Sequence, residues 1–532
     1  MMHRMKKRPL IASVFAASLL AGCASAPVQA PLPAPAPMPS VPNAASPRIP
    51  LTPMAQRIDA FLAQPRFAHA GWGVDVVSLD SGETLYAHEA DKLFVPASNA
   101  KLYTAALALG VLGPDARFGT TLYATAAPQG GTLSGDLILR GGGDPSLGDA
   151  SPDWAARFAS ALSSQGVRRV RGDLIADDSY FSGPSFGDGW EVGDLQAWFG
   201  AAASALSVQG NVLRVRVARQ GASCCAVSID PPIGAAGVRI ENLTGASDAA
   251  QAGGDTLGLY RPPGSATLYA SGSLPAGVNA HVYTLSAPDP AALAGAILRD
   301  AMQRAGIALD GSVRALHWPQ RDTALTQPGT QRIAAIDSPP VSEMLMHMLK
   351  HSDNLYAQVL LQQAGVRLAQ TGVCADRNPP PLTSAEWGLC GMRAMLARAG
   401  IPDGAALFAD GAGLSRKDLV APLATTRLLA WVARQPFASM FRDALPVASV
   451  DGTLRNRMRD TPVANNLQAK TGTLTHSSAL SGYVTDTAGR HLVFSLMLDR
   501  YERPADGAGH PVPPSPNNDL DAIAAMIAQA DP

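Results

Sequence analysis

The spacing of apolar residues predicts a domain that begins and ends with a helix and has a sheet between them. Apolar residues recur every three to four positions in segments 53–64, 94–110, 291–305, 340–370 and 519–529. Shorter apolar runs bounded by turn-forming residues predict strands at 72–79, 83–88, 467–472, 478–484 and 491–498. Asp80, Ser81 and Gly82 join the first two strands and favour a hairpin. The pattern therefore predicts a fold of the α/β (α+β) class.

Between residues 116 and 286 the pattern changes to short strands separated by glycine-rich turns. Strand-like segments lie at 135–140, 170–175, 211–217 and 266–270. Helical periodicity returns at residue 291. The simplest topology is one domain built from residues 54–115 and 287–532, which is interrupted by inserted β-rich domains at 116–286.

The composition is that of a globular protein with more than one hydrophobic core. The chain has 532 residues, of which 47% are hydrophobic and 16% are charged. This length predicts two or three domains, and this balance argues against general disorder. The formal net charge of -1 does not suggest a nucleic-acid partner, because such proteins present a strongly basic surface.

Residues 1–23 have the form of an export signal. A basic segment at 4–8 precedes an apolar run at 10–20 that is too short to remain as a membrane-spanning helix. The segment ends in Leu20-Ala21-Gly22-Cys23, which resembles a bacterial lipobox and implies cleavage before Cys23 with lipid attachment to its thiol. Ordinary cleavage after Ala26 would instead leave a soluble secreted protein.

Either cleavage exports the mature protein, and we expect it in the periplasm. Residues 24–53 are rich in Pro, Ala and Ser and are typical of an extended linker. With a lipid on Cys23, this linker would hold the folded body away from the membrane. Ala24 follows Cys23 in place of the aspartate that is often linked to inner-membrane retention, so the outer membrane is favoured.

Four cysteines remain in the mature chain, and an oxidising compartment allows them to form disulfides. Cys374 and Cys390 flank a proline-rich segment, and a bridge between them is expected. Cys224 and Cys225 are adjacent, and their pairing stays open because a vicinal disulfide is strained. No Cys or His spacing matches a zinc site, so neither a metal nor a cofactor is predicted.

The segment at residues 94–110 carries the first candidate for chemistry. The expected helix is entered through Pro96, and its first turn places Ser98 and Lys101 on one face, three residues apart. A serine beside an amine has the layout of a nucleophile and its base. Lysine is scarce in the body of the chain, where it occurs only at positions 92, 101, 350, 417 and 470.

Two later motifs supply the rest of a catalytic set. Ser352-Asp353-Asn354 falls between two helical stretches, and Lys470-Thr471-Gly472 opens a predicted strand. Ser-x-x-Lys, Ser-x-Asn and Lys-Thr-Gly occur here in the order that is typical of serine acyl-transferring, penicillin-recognising enzymes. Each motif alone would be read as ordinary surface or core sequence, and the order of the three favours the catalytic reading.

Each motif has a role in acyl transfer. Ser98 can attack a peptide carbonyl if a neutral Lys101 removes its proton, and a positive charge on Lys470 would lower the pKa of Lys101. Ser352 would relay a proton to the leaving amine, and Asn354 would hold the substrate amide.

The Lys-Thr-Gly strand would also bind the substrate. It can pair with an extended peptide as an added strand. The backbone N–H groups of Ser98 and Thr473 would form the oxyanion hole.

More of the chain resembles the class C low-molecular-mass penicillin-binding proteins, the D-Ala-D-Ala carboxypeptidase/endopeptidase family. The matching stretches, besides the long insertion itself, are residues 141–147, 204–207, 410–416 and 451–454. The resemblance runs from about residue 55 to the C-terminus. It implies a transpeptidase/β-lactamase-like catalytic domain into which β-rich domains are inserted.

The resemblance also implies substrate-binding residues. Asp194 matches an acidic residue expected to contact the free amino end of a meso-diaminopimelate side chain, and Phe199 would pack beside it. Arg416 matches a position near the substrate's terminal region. Thr471, Gly472 and Thr473 are expected on the substrate-binding strand, with the two threonines nearest the terminal D-Ala carboxylate.

The sequence therefore predicts a serine DD-peptidase that cleaves peptidoglycan stem peptides through an acyl-enzyme. Terminal D-Ala removal and cleavage of D-Ala–meso-diaminopimelate cross-links would share one acylation step, and β-lactams would be covalent inhibitors. Two alternatives stay open: a β-lactamase or esterase of the same superfamily, and a non-catalytic peptidoglycan-binding lipoprotein.

Overall fold

The computed structural model describes residues 52–220, 223–230, 232–235, 237–245, 256–274, 277–321, 323–503 and 514–529. The predicted export signal with Cys23 and nearly all of the predicted linker lie outside the described residues. The α-helices of the described part are α1 (Pro53–Leu62), α2 (Ala100–Val111), α3 (Trp154–Ser164), α4 (Pro290–Arg304), α5 (Val341–His351), α6 (Asn354–Thr371), α7 (Ser384–Arg398), α8 (Pro422–Val432), α9 (Ala438–Asp443) and α10 (Pro516–Ala528).

The strands of the described part are β1 (Gly71–Ser78), β2 (Thr84–His88), β3 (Gly119–Ala124), β4 (Thr132–Leu133), β5 (Leu137–Arg140), β6 (Arg169–Val170), β7 (Leu174–Asp177), β8 (Val212–Gln220), β9 (Ser223–Asp230), β10 (Arg239–Thr244), β11 (Gly258–Tyr260), β12 (Thr267–Gly272), β13 (Ala280–Ser286), β14 (Ala308–Leu309), β15 (Val313–Leu316), β16 (Gln331–Asp337), β17 (Ala406–Leu407), β18 (Leu419–Val420), β19 (Gln468–Leu474), β20 (Ser477–Thr485) and β21 (His491–Asp499).

Strands from opposite ends of the chain form one antiparallel sheet in the order β19-β20-β21-β1-β2. The predicted hairpin joins β1 to β2, and the three predicted C-terminal strands are β19, β20 and β21. Strand β19 lies at the edge of this sheet. An edge strand leaves backbone groups on its outer side free to pair with a further strand.

Helices cover both faces of this sheet, which explains why β1 is buried almost throughout. Trp72, Val74 and Val76 alternate along β1 and pack in the core that also contains Ile58 of α1 and Ile523 of α10. On the other face, helix α8 packs against β1 and β21.

Helix α2 forms the centre of the helical layer. Its residues 100–109 are all buried, and it packs against α5, α6 and α7. A helix that is buried on every side must be apolar all round, and α2 consists mainly of Ala and Leu. Lys101 is the charged exception, and its burial needs a local explanation.

The inserted part of the chain forms a second five-stranded sheet in the order β15-β7-β5-β3-β16. This sheet includes β15 and β16, so it continues to Asp337, past the predicted end of the insertion at residue 286. Helix α4 packs on β7 and β15 of the same sheet. The helix predicted at 291–305 is therefore present as α4, but it belongs to the inserted part of the fold and not to the catalytic domain.

The described part of the insertion also contains three smaller three-stranded sheets, in the orders β10-β12-β11, β13-β8-β9 and β14-β6-β4. This region also contains α3, which the sequence reading did not predict. Trp154, Phe158 and Leu162 of α3 pack in the core of the second five-stranded sheet. The region is rich in strands, as expected, but a pair of helices, α3 and α4, contributes to its core.

The described residues contain two disulfides. Cys374 and Cys390 are joined, as predicted, with an S–S distance of 1.96 Å, and the adjacent Cys224 and Cys225 are also joined. Among the helices described above, none is both long and apolar enough to cross a bilayer.

Candidate active site

Ser98 lies in a 3-10 turn (Ala97–Asn99) that leads directly into α2. Ala97 has a positive φ of 47°, an uncommon conformation for a residue with a side chain. Gly413 packs against this turn so closely that a Cβ at its position would lie 1.8 Å from the Ala97 carbonyl oxygen. The turn is therefore held in an unusual shape by a neighbouring loop in which only glycine fits.

Lys101 is fully buried, and its ammonium group has three acceptors. Its Nζ donates to Ser98 Oγ at 2.9 Å, to Asn354 Oδ1 at 2.6 Å and to the Ala412 carbonyl at 2.6 Å. A lysine ammonium has three N–H donors, so its full capacity is used. These contacts explain how a lysine is accommodated inside an apolar helical layer, and they place its nitrogen directly on the candidate nucleophile.

Ser352 and Lys470 form a second contact of the same kind. Ser352 follows the last residue of α5 and has a left-handed backbone with a φ of 59°. Lys470 is fully buried on β19, and its Nζ donates to Ser352 Oγ at 2.8 Å and to the Thr471 carbonyl at 2.9 Å. The structure thus brings together residues of all three motifs.

Burial makes both lysines easier to deprotonate. It lowers the pKa of Lys101 to about 8, while the carboxylates of Asp410, Asp353 and Asp418 act in the opposite direction. Burial also lowers the pKa of Lys470 well below its usual value, and the charge of Lys101 lowers it further. We expected Lys470 to supply the charge that lowers the pKa of Lys101. The structure reverses this order, because the nearby carboxylates favour the charged form of Lys101.

Asn354, which is expected to hold the substrate amide, also has contacts within the protein. It is the first residue of α6, it accepts the bond from Lys101, and its Nδ2 donates to the Phe199 carbonyl at 2.8 Å. Both ends of its amide are therefore occupied within the protein. Asn354 orients Lys101 and ties the segment around Phe199 to the site.

Strand β19 runs beside the turn that carries Ser98. A Cβ at Gly472 would lie 2.6 Å from the Pro96 carbonyl oxygen, so glycine permits this close approach. Thr471 is nearly buried and its hydroxyl lies 2.9 Å from that of Thr453. Thr473 follows on the same edge strand, so the substrate-binding residues predicted on this strand adjoin the nucleophile.

The loop after β17 is organised around the buried carboxylate of Asp410. Asp410 accepts backbone N–H bonds from Ala412 and Gly413 through Oδ1, and from Leu414 and Ser415 through Oδ2, at 2.6–3.1 Å. This network fixes the Ala412 carbonyl that accepts from Lys101. The structural role of Asp410 was not predicted from the sequence, although an aspartate before Gly-Ala-Gly is a signal for a turn.

A segment of the inserted region crosses to this loop. Trp190 Nε1 donates to Asp410 Oδ2 at 2.6 Å, and Lys417 Nζ pairs with Asp188 at 2.7 Å. The indole bond ties this inserted segment to the loop that supplies an acceptor for Lys101. The insertion therefore contributes directly to the shape of the site.

Asp418 lies beside Asp410 and is also buried. Its Oδ1 accepts from the Ala409 backbone N–H at 2.7 Å, whereas its Oδ2 has no hydrogen-bond partner in the described structure. Burial, followed by the neighbouring charge of Asp410, raises the pKa of Asp418 well above its usual value. Asp418 therefore holds its proton to higher pH than an exposed aspartate does.

Asp194 and Arg416 lie at the edge of the site. Arg416 Nε is 3.4 Å from Glu191 Oε1, and Arg416 Nη1 donates to the Thr475 carbonyl, just beyond β19, at 3.2 Å. Asp194 is half-buried in a 3-10 turn (Asp194–Gln196), and burial raises its pKa. Arg416 therefore links the inserted segment to the end of the substrate-binding strand.

Phe199 lines a small cavity of about 130 Å³ beside the motif residues. Trp198, Asp353, Asn354 and Leu355 are also among its lining residues. Its walls therefore combine aromatic and apolar surface with one carboxylate. Within the described ranges, no group of three or more His, Cys, Asp or Glu residues has an arrangement suited to a metal ion.

Comparisons with known proteins give a consistent result. A sequence model described as the D-Ala-D-Ala carboxypeptidase 3 (S13) family matches residues 54–512. A D-alanyl-D-alanine carboxypeptidase of Actinomadura sp. (strain R39) is 34% identical over 467 residues, which cover 86% of this chain and 82% of that protein. A D-alanyl-D-alanine carboxypeptidase DacB of Haemophilus influenzae is 25% identical, over 80% of this chain and 84% of that protein.

The fold matches a solved structure as well. The crystal structure of penicillin binding protein 4 (dacB) from Haemophilus influenzae superposes with a TM-score of 0.74 at 24% identity. The match covers 89% of this chain and 97% of that one. At this identity the likeness establishes the shared fold.

Proposed function

The chain belongs to the D-Ala-D-Ala carboxypeptidase 3 (S13) family and is a serine D-Ala-D-Ala carboxypeptidase, and we propose that it works through an acyl-enzyme on Ser98. The observation that carries this proposal is the contact of 2.9 Å between Lys101 Nζ and Ser98 Oγ. Ser98 Oγ attacks the carbonyl carbon of the penultimate D-Ala, the C–N bond breaks, and the terminal D-Ala leaves as the amine. Water then hydrolyses the ester and releases the shortened peptide.

The proton of Ser98 passes to Lys101 in this proposal. With a pKa of about 8, roughly one-tenth of the Lys101 side chains are neutral at pH 7, and the loss of the proton that faces Ser98 leaves the amine nitrogen 2.9 Å from the hydroxyl it must deprotonate. Ser352, in contact with Lys470, is placed to pass a proton to the leaving amine. Asn354 and the Ala412 carbonyl keep Lys101 aimed at Ser98.

The substrate binds along the outer edge of β19. Its backbone pairs with the strand, and the N–H groups of Ser98 and Thr473 stabilise the oxyanion. Thr471, Thr473 and Arg416 bind the terminal carboxylate. Arg416 is included because it contacts Thr475, beside the end of β19. A guanidinium also forms its strongest hydrogen bonds with carboxylates.

We further propose that the enzyme also cleaves D-Ala–meso-diaminopimelate cross-links. The acylation step is the same, and only the leaving amine differs. Asp194 would pair with the free amino end of the diaminopimelate side chain, and Phe199 would pack on its aliphatic part. Both residues lie on the inserted segment that Asn354 ties to the site through the Phe199 carbonyl.

β-Lactams are proposed as covalent inhibitors. A solved penicillin binding protein 4 of Haemophilus influenzae is described as complexed with a novel beta-lactam, and the same chemistry at Ser98 would open the lactam ring. A fluorescent penicillin should label the protein and remain attached for many minutes. A β-lactamase or esterase would release it quickly.

We propose that the protein is exported to the periplasm and anchored there by a lipid on Cys23. The support is the sequence Leu20-Ala21-Gly22-Cys23, and the outer membrane is the favoured site. Metabolic labelling with radioactive palmitate tests the anchor. Label in the wild type and none in Cys23→Ala supports it, whereas an unlabelled wild type cleaved after Ala26 contradicts it.

Release of D-Ala and analysis of purified sacculi test the proposed activity. The wild type should release D-Ala from a D-Ala-D-Ala peptide and convert cross-linked muropeptides into monomers, and Ser98→Ala should do neither. Ser163→Ala, an exposed serine on α3, is the matched control and should retain full activity. A folded wild type that changes neither substrate would favour a non-catalytic role. D-Ala release without loss of cross-links would limit the enzyme to carboxypeptidase action.

A further inference from the structure

A cavity of about 860 Å³ lies away from the motif residues, between the inserted sheet and the helical layer. One wall comes from β3 and β5 and the segments that follow β7 and β15. The other wall comes from the second half of α6 and the start of α7. Its volume is in the range of pockets that bind ligands larger than a single sugar or amino acid.

Aromatic side chains and hydrogen-bond donors share the lining. Tyr123, Tyr180, Trp318 and Trp387 contribute aromatic surface, and Trp318 is 41% exposed. Arg140 also lines the cavity, but its charge is balanced by a bond of 3.0 Å to the buried carboxylate of Asp177. Flat apolar faces together with hydrogen-bond donors suit a ligand that carries both apolar faces and many hydrogen-bonding groups.

A smaller cavity adjoins the first and shares Trp318 with it. Gln362 lines this smaller cavity, is 1% exposed, and its Oε1 has no hydrogen-bond partner among the described atoms. A buried carbonyl oxygen without a partner is costly. A ligand N–H, such as that of an acetamido group, would satisfy it.

The distance to the catalytic residues fits a substrate with two parts. Helix α6 begins at Asn354 in the active site and reaches the cavity at Gly365, eleven residues later. At 1.5 Å per residue this is about 17 Å. An extended peptide covers about 3.3–3.6 Å per residue, so the roughly four stem residues before the scissile bond reach about 13–14 Å, and the linkage to the sugar covers the rest.

We propose that this cavity, with its neighbour at Gln362, binds the N-acetylated sugar backbone of the glycan strand from which the stem peptide hangs. The inference rests on the proposed action on peptidoglycan, and it adds a second binding site to that substrate. Trp318 stacks on a sugar ring, Gln362 accepts from an acetamido N–H, and Arg321 at the exposed rim donates to hydroxyl or carbonyl oxygens. The sugar site lowers the KM for sugar-bearing substrates and leaves the chemical step at Ser98 unchanged.

The test compares one stem peptide in two forms, bare and attached to its N-acetylated disaccharide. For the wild type, KM should be about tenfold lower for the disaccharide form, the size of effect expected from one good aromatic contact. Trp318→Ala and Arg321→Gln should remove most of this advantage and keep kcat/KM on the bare peptide within about twofold. Tyr260→Ala, which removes a similarly exposed aromatic residue elsewhere in the insertion, is the control and should keep the full advantage.

A wild type with equal KM for both forms would overturn the inference, as would a Trp318→Ala variant that loses activity on both substrates in proportion. Tryptophan fluorescence of the Ser98→Ala protein, measured as peptide-free glycan strands are added, gives an independent readout of glycan binding. Bare-peptide hydrolysis without glycan binding contradicts only the sugar site. Glycan binding without any hydrolysis by the wild type contradicts only the proposed function.

Discussion

The pH dependence of acylation is the sharpest consequence of the buried Lys101. The side chain acts as a base only when it is neutral, and burial lowers its pKa from 10.5 to about 8. Half of the molecules then have a neutral base at pH 8, about one-tenth at pH 7 and about one-hundredth at pH 6. Lowering the pH from 8 to 6 should therefore reduce kcat/KM about fiftyfold.

The assay is the initial rate of D-Ala release from a peptide whose other ionisable groups are blocked, at substrate concentrations far below KM. This measures kcat/KM and reports the ionisation of the free enzyme. Because Lys101 and Lys470 are both buried and interact, the measured midpoint belongs to the pair. Lys92→Ala, at an exposed lysine outside the site, is the control and should have the same profile.

Two outcomes would refute this reasoning. A profile that is flat between pH 6 and pH 8 would mean that no group with the lowered pKa takes the proton of Ser98. A rise that continues towards pH 10.5, the ordinary value for lysine, would mean that burial does not activate Lys101. The circular dichroism spectrum, measured at each pH, must stay constant for either conclusion to hold.

Three further substitutions have distinct expected outcomes. Asp353→Asn keeps an N-cap for α6 but removes a carboxylate that raises the pKa of Lys101. The acid limb of the kcat/KM profile should therefore move to lower pH. A shift to higher pH would mean that Asp353 does not raise the pKa of Lys101. Asn354→Ala removes a charged hydrogen bond worth about 1.5–3 kcal/mol and should lower kcat/KM about 10–150-fold. A loss below about threefold would mean that Lys101 does not need the hydrogen bond to Asn354. Asp418 has a raised pKa in the folded state, so its ionisation costs stability as pH rises above the usual value of 3.8. Asp418→Asn should therefore flatten the pH dependence of the free energy of unfolding, and urea titrations in which the variant keeps the wild-type pH dependence would refute this effect of the buried Asp418.

The catalytic motifs were accessible from the sequence because each is a short local pattern on a predictable element. Ser98 and Lys101 share the first turns of one helical segment, and β19 carries the Lys-Thr-Gly motif on a readily predicted strand. The supporting contacts were not accessible. The bond from Lys101 to the Ala412 carbonyl joins positions 311 residues apart, and no local pattern predicts it.

The electrostatic roles of the lysines also depended on distant residues. The sequence suggested that Lys470 lowers the pKa of Lys101, whereas in the structure Lys101 lowers the pKa of Lys470. It gave no reason to place the carboxylates of Asp353 and Asp410 near Lys101 rather than Lys470. Only the folded structure shows that these carboxylates lie near Lys101 and raise its pKa.

The limits of the insertion show a different kind of error. Helical period identifies α4 as an amphipathic helix, but it does not reveal which sheet the helix covers. Leu298 packs in the core with strands of the inserted sheet, and this contact moves the end of the insertion to the region after Asp337. Helix α3 was not predicted because glycine-rich turns surround it, and such turns are typical of strand-rich regions.

The position of the covalent bond tests the central claim most directly. The purified protein is incubated with penicillin, its intact mass is measured, and the adduct is located by peptide mapping. The account predicts one added penicillin per chain, on Ser98, and none on Ser98→Ala. A folded wild type that gains no mass, or an adduct at another residue that persists in Ser98→Ala, would contradict it.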